Sequence, residues 1–120
     1  MSGERAADQA ALYPDIRIEP AWKVSLVYGM SCAIRHMLPA AYSLVARFGE
    51  DFEGAVLNSL NGGGQNQART ILTGALAGAR AGLSGIPRRF IDGIDRGGEL
   101  AALCRGLAAR AVPRAQKRPA

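Results

Sequence analysis

The sequence predicts an all-α fold of about six helices. Three observations carry this: apolar residues recur at helical spacing in successive segments, Gly- and Pro-rich breakers separate those segments, and no run alternates with a period of two. The chain has 120 residues, 48% hydrophobic and 21% charged, which suits one globular domain and argues against wholesale disorder. Its 15 glycines follow no three-residue period, so a collagen-like repeat is excluded.

Residues 1–20 mix small, charged and proline residues and read as an N-terminal arm. Pro14 and Pro20 bracket an alternation, Ile16-Arg17-Ile18, that is too short to stand as a strand. A helical domain is expected over 21–112. Its first helix spans Ala21 to Met37 on Val24, Val27, Tyr28, Cys32 and Ile34, and Pro39 is placed to open a new helix rather than to continue the old one. The second runs from Pro39 to Phe48, with Gly49 at the left-handed cap.

Glu50, Asp51 and Glu53 then complement the dipole at the start of a third helix, Phe52 to Leu60. Asn61-Gly62-Gly63-Gly64 is the strongest breaker in the chain. Beyond it, Gln65 to Gly82 places Gly74, Gly78 and Gly82 on one stripe, where another backbone is expected to pack closely. Pro87 suits the start of a short helix through Ile94. Gly97-Gly98 breaks again, and Leu100, Leu103, Leu107 and Val112 line a last helix that Pro113 stops.

The net charge of +5 is confined to one end. Residues 1 to 100 carry equal numbers of basic and acidic side chains, whereas Arg105, Arg110, Arg114, Lys117 and Arg118 follow without an acid. Residues 113–120 read as a basic tail that touches polyanions weakly, and with aromatics at only 6% nucleic acid is not the expected partner. Cys32 and Cys104 show no metal or redox spacing and read as small core residues in a reducing compartment. No basic segment leads into an apolar run near the start, and no uncharged stretch is long enough to cross a membrane, so a cytoplasmic protein is expected.

The chemical inventory read from residues alone is thin. His36 is the only histidine, which excludes two-histidine metal sites, and reads as a hydrogen-bonded structural residue. No serine lies in a GxSxG setting. The glycine loop entering a helix at Gln65 is either a flexible connection or an anion cradle, and it carries neither the Walker nor the dinucleotide pattern. Glu50, Asp51 and Glu53, or Asp92, Asp95 and Glu99, are the carboxylates that could be paired for glycosidic hydrolysis, though each cluster is better explained as helix-start or exposed charge.

Several pieces occur together in a fixed order: Leu38-Pro39-Ala40, Phe48 through Ala55, Asn58, Asn61 through Arg69, Gly74-Ala75-Leu76-Ala77-Gly78-Ala79, Gly82 and Ile86-Pro87. This series resembles the C-terminal part of the ADP-ribosylglycohydrolase family, over roughly Ser25 to Gly93. The resemblance implies an orthogonal helical bundle, two divalent cations, usually Mg²⁺, and hydrolysis of the glycosidic bond joining ADP-ribose to an acceptor. It places Gly63 and Gly64 beside an ADP-ribose-type substrate and Gln65, Asn66 and Gln67 at the metal positions. The common form of the family has Asp-Thr-Asp there; a second form has Asp-Asn with an Arg three residues after the Asn, which Asn66 and Arg69 match.

Mg²⁺ is a hard cation usually held by one or two carboxylates, and amide oxygens supply no charge. The family's other carboxylates lie in N-terminal motifs that this sequence does not contain, so it looks like the last part of an enzyme standing by itself. The chain alone is therefore expected not to be catalytic, and to act instead as a structural or interaction module. Helices that would pack on the absent portion must present apolar faces, so a homo-oligomer or a complementary chain is the expected partner.

Overall fold

The computed structural model describes residues 17–115. The described residues form one 3₁₀ turn, Ala21–Lys23, and six α-helices: α1 (Val24–Tyr28), α2 (Ile34–Phe48), α3 (Phe52–Asn61), α4 (Asn66–Gly85), α5 (Arg88–Asp92) and α6 (Gly97–Ala115). There is no strand among them, as the absence of two-residue alternation predicts. Most of the arm, residues 1–16, and the end of the basic tail, residues 116–120, lie outside the described residues.

The chain divides into two units, Met1–Pro87 and Arg88–Ala120. In the first, α3 and α4 pack on one another and both pack on α2, while α1 and the 3₁₀ turn close the other side of α2 and α3. Its apolar centre is made of Ala21, Val24, Ala40 and Leu44, with Ile18, Tyr28 and Phe48 against it. Small residues dominate this core, so it is thin. Arg47 fastens the segment before the turn by donating to the Ile18 carbonyl at 2.8 Å and pairing with Glu19.

The break in the first helical region is not where Pro39 predicts it. Gly29, at φ 117° and ψ 151°, ends α1, and Ser31 Oγ then accepts from the Ala33 amide to start α2. Pro39 is buried inside α2, at its sixth position. Its missing N–H costs one bond, to the carbonyl of Arg35 in the first turn, where helices fray, and its ring instead fills the core. Gly49 (φ 61°) caps α2 as expected, and Asp51 caps α3, its carboxylate accepting from the Gly54 amide at 2.9 Å.

The glycine stripe of α4 is not a close backbone seam. A Cβ on Gly74 would meet Val56 at 3.9 Å, and one on Gly78 would meet Ile86 and Phe52 at 3.7 Å, both ordinary van der Waals contact. Gly82 has open space and instead carries the kink of α4, at φ 70° and ψ 173°. Gly74→Ala is therefore expected to raise stability by about 0.5–1 kcal/mol, since a helix-interior glycine is replaced without a clash; urea denaturation at unchanged m-value reads the gain.

In the second unit, Arg88 pairs with Asp92 at 3.0 Å and Arg96 with Glu99. Two expectations fail here: Gly97 and Gly98 lie within the first turn of α6, and Pro113 lies inside it. Glu99 in the first turn and its Arg96 partner support that start, where glycine's extra backbone entropy costs less than in the helix interior. The two cysteines also depart from expectation, as both are exposed and Cys32 sits in the break before α2. No helix among the described residues is long and apolar enough to cross a membrane.

Candidate functional site

The residues singled out in the sequence gather at the junction of α3 and α4. Gly63 and Gly64 take consecutive left-handed conformations, φ 69° and 60°, which reverse the chain between the two helices. The Gln65 amide donates to the Met30 carbonyl at 2.8 Å, and a Cβ on Gly64 would fall 2.5 Å from that same oxygen. The loop thus rests directly on the segment between α1 and α2. Gly62 is buried against Ser25, whose hydroxyl donates to the Gly62 carbonyl at 2.5 Å.

Of the three residues at the expected metal positions, Asn66 is half-buried and its side-chain amide donates to the Leu60 carbonyl at 3.1 Å, leaving its oxygen as acceptor. Gln65 and Gln67 are exposed, and their side chains make no hydrogen bond among the described residues. Their backbones open α4, so the positive end of that helix's dipole lies behind them. The acidic residues Glu50, Asp51 and Glu53 sit around the start of α3, and Asp92, Asp95 and Glu99 belong to the other unit. Among the described residues no three His, Cys, Asp or Glu side chains are grouped to hold a metal.

The centre of the junction is Arg69, which is 1% exposed. Its Nε and Nη2 both donate to the Ser59 carbonyl, at 3.2 and 3.0 Å, and Nη2 also donates to the Gly63 carbonyl at 2.7 Å. Nη1 is sealed from solvent and has no hydrogen-bond partner among the described residues. Burial pushes the guanidinium below its ordinary value. Beside it, the Thr73 hydroxyl lies between the Arg69 carbonyl, at 2.9 Å, and the Ser59 hydroxyl, at 3.0 Å. The inward stripe of α4 is therefore Arg69, Thr73 and Ala77, while Ile71 and Leu83 face out at 68% and 74% exposure.

This arrangement gives the glycine loop a fixed geometry and a positive interior. A model of the ADP-ribosylglycohydrolase family matches residues 3–117. The chain belongs to the ADP-ribosylglycohydrolase family. The match runs well beyond the stretch from Ser25 to Gly93 that carries the motifs, taking in both units of this ADP-ribosylglycohydrolase-family chain. No curated protein and no solved structure matches it.

The sequence places Asn66 and Arg69 in the family pattern, but it does not reveal that Arg69 is the buried side chain on which the loop is built. The available signal was the spacing of Arg69, Thr73 and Ala77, four residues apart on one helical face. Hydropathy hides it, because that rule puts Ile71 inward and the arginine out.

Proposed function

We propose that this chain by itself is a non-catalytic member of the ADP-ribosylglycohydrolase family, working as a helical interaction module. The observation that carries the reading is the donor set at the glycine loop: Gln65, Asn66 and Gln67 are neutral amides, and among the described residues the only buried charge beside them is the Arg69 guanidinium. A pair of Mg²⁺ ions needs carboxylate charge close by, and a sealed cation under the loop opposes it. The residues present do not fit that metal pair. Without it, neither activation of water nor stabilisation of a departing group is supplied at this loop.

Calorimetry on the whole chain tests this. Mg²⁺ titrated to about 10 mM should give no heat beyond dilution, and ADP-ribosylated protein should release no ADP-ribose. Saturable Mg²⁺ binding tighter than about 1 mM, or ADP-ribose release, would sink the reading. ADP-ribose itself is the second titrant, because Gly63 and Gly64 remain the expected contacts for a ligand of that type even where hydrolysis is absent.

The interaction role draws support from α6. Leu100, Leu103 and Leu107 are 47%, 70% and 71% exposed and fall at i, i+3 and i+7, the spacing of a helix-pairing seam. At its start Glu99 is paired with Arg96 and Asp95 lies beside them, with Arg105 and Arg110 further on, so two copies laid antiparallel bring Asp95 of one towards the basic side chains of the other. Sedimentation velocity is expected to show a mass that rises with concentration in the wild type and stays monomeric for Leu103→Glu. The two exposed, unbridged thiols, Cys32 and Cys104, favour a cytoplasmic setting.

A further inference from the structure

A second feature involves none of the glycine-loop residues. Where α1 meets α2 there is a cleft of about 350 Å³ lined by Val27, Tyr28, Arg35, His36 and Pro39. It is shallow and open to solvent, so it covers one face of a small ligand rather than enclosing it. Val27 is 62% exposed, Pro39 forms buried floor, and the Tyr28 hydroxyl is engaged by Ser43, so its ring is what remains for contact. None of the lining residues is acidic.

The polar groups are held in place. Ser31 Oγ lies 2.7 Å from His36 Nδ1, and Arg35 Nε reaches His36 Nε2 at 3.4 Å. Gly29, at φ 117°, lies against the imidazole so closely that a Cβ there would fall 2.5 Å from Cγ and Nδ1. The ring is thus seated on backbone that only glycine leaves open. Arg35 is exposed and makes no ion pair among the described residues.

Charge placement is the second line of argument. Arg35 and His36 stand in the first turn of α2, which has no side-chain cap and no acidic residue there. Basic groups at the positive end of a helix dipole oppose it, and the opposition is relieved by an anion. A local rule broken in this way is expected at functional or strained sites.

We propose that this cleft binds a small organic oxyanion with an apolar or aromatic body. The oxyanion is held by the Arg35 guanidinium, which the His36 ring positions by accepting from Arg35 Nε, and the body lies against Val27, Tyr28 and Pro39. The inference does not rest on the absence of catalysis at the glycine loop, and its failure would leave that reading untouched.

His36 is the only histidine in the chain, so its ring Cε1–H resonance reports the site without assignment ambiguity. On the whole protein, phenyl phosphate is expected to shift that resonance saturably, with half-saturation at or below about 1 mM. Inorganic phosphate, lacking the ring, should bind about tenfold more weakly. Arg35→Gln, at an exposed position, should weaken phenyl phosphate about tenfold with the rest of the spectrum unchanged. Benzoate binding as well as phenyl phosphate assigns the site to carboxylates and phosphates alike; phenyl phosphate alone assigns it to phosphate monoesters. The proposal is overturned by no saturation up to about 10 mM, by an Arg35→Gln affinity equal to wild type, or by equal shifts from phosphate, sulfate and chloride, which would be salt screening only.

Discussion

Arg69→Ala is expected to lower the unfolding free energy by about 3–5 kcal/mol, the largest loss of any single side chain in the first unit. Two effects add. Truncation empties the volume of the largest fully buried side chain, and it strips the Ser59 and Gly63 carbonyls of their donors inside the fold. Each orphaned buried carbonyl costs about 1–3 kcal/mol. Arg69→Met separates the terms, because it keeps most of the volume and still removes the donors; a loss of about 2 kcal/mol is expected there.

The buried charge itself complicates the sign, since replacing a buried ion by an apolar side chain is sometimes neutral. Among the described residues the guanidinium has no carboxylate beside it; its compensation comes from the Ser59 carbonyl in the last turn of α3, at the negative end of that helix, and from the Gly63 carbonyl in the loop. Those carbonyls stay where they are in the variant and have no other donor. A urea midpoint for Arg69→Met equal to wild type at unchanged m-value would show that the carbonyls find water and that the clamp is dispensable.

The elements most legible in the sequence are those fixed by short-range chemistry. Gly49 and Asp51 mark the end of α2 and the start of α3 because a left-handed cap and a carboxylate N-cap are local requirements. The glycine loop is legible for the same reason. Pro39 misleads because its local preference, to open a helix, is outweighed by Gly29 ten residues earlier and by the core space its ring fills. Gly97, Gly98 and Pro113 mislead alike, all three lying inside α6.

The candidate site was legible in part. Contiguous residues from Gly63 to Gln67 have to share the helix start, so their grouping follows from the chain itself. Two long-range relations do not: the support of the loop by Met30, and the burial of Arg69 beneath it. Both join residues distant in sequence, or invert the hydropathy of a helix face, and single-sequence periodicity contains neither. His36 shows the same boundary. Its hydrogen-bonded character is the expected one, whereas the glycine that seats it and the arginine beside it become a cleft only in three dimensions.

Gly64→Ala is the second substitution with a large expected effect, about 3 kcal/mol or more. An alanine at φ 60° costs about 1 kcal/mol in the left-handed region, and its Cβ would stand 2.5 Å from the Met30 carbonyl oxygen and 2.6 Å from the Met30 Cβ. The oxygen is backbone and already accepts from Gln65, so it cannot retreat without breaking that bond. Gly63→Ala, at φ 69°, meets only the mobile end of Met30 at 3.2 Å, and Gly82→Ala, at φ 70°, meets nothing within 4 Å. Gly63→Ala should lose only the left-handed term, about 1 kcal/mol, whereas Gly82, at φ 70° and ψ 173°, lies in a region open essentially to glycine and should lose about 1–3 kcal/mol with no contact involved. The ratio of Gly64→Ala to Gly63→Ala therefore isolates the contact with Met30 from left-handed strain. Amide exchange at Gln65 reads the same contact directly: its protection should fall sharply in Gly64→Ala and persist in Gly82→Ala. Equal losses across all three positions would mean that the loop does not rest on the α1–α2 segment, and the fixed geometry of the glycine loop would go with it.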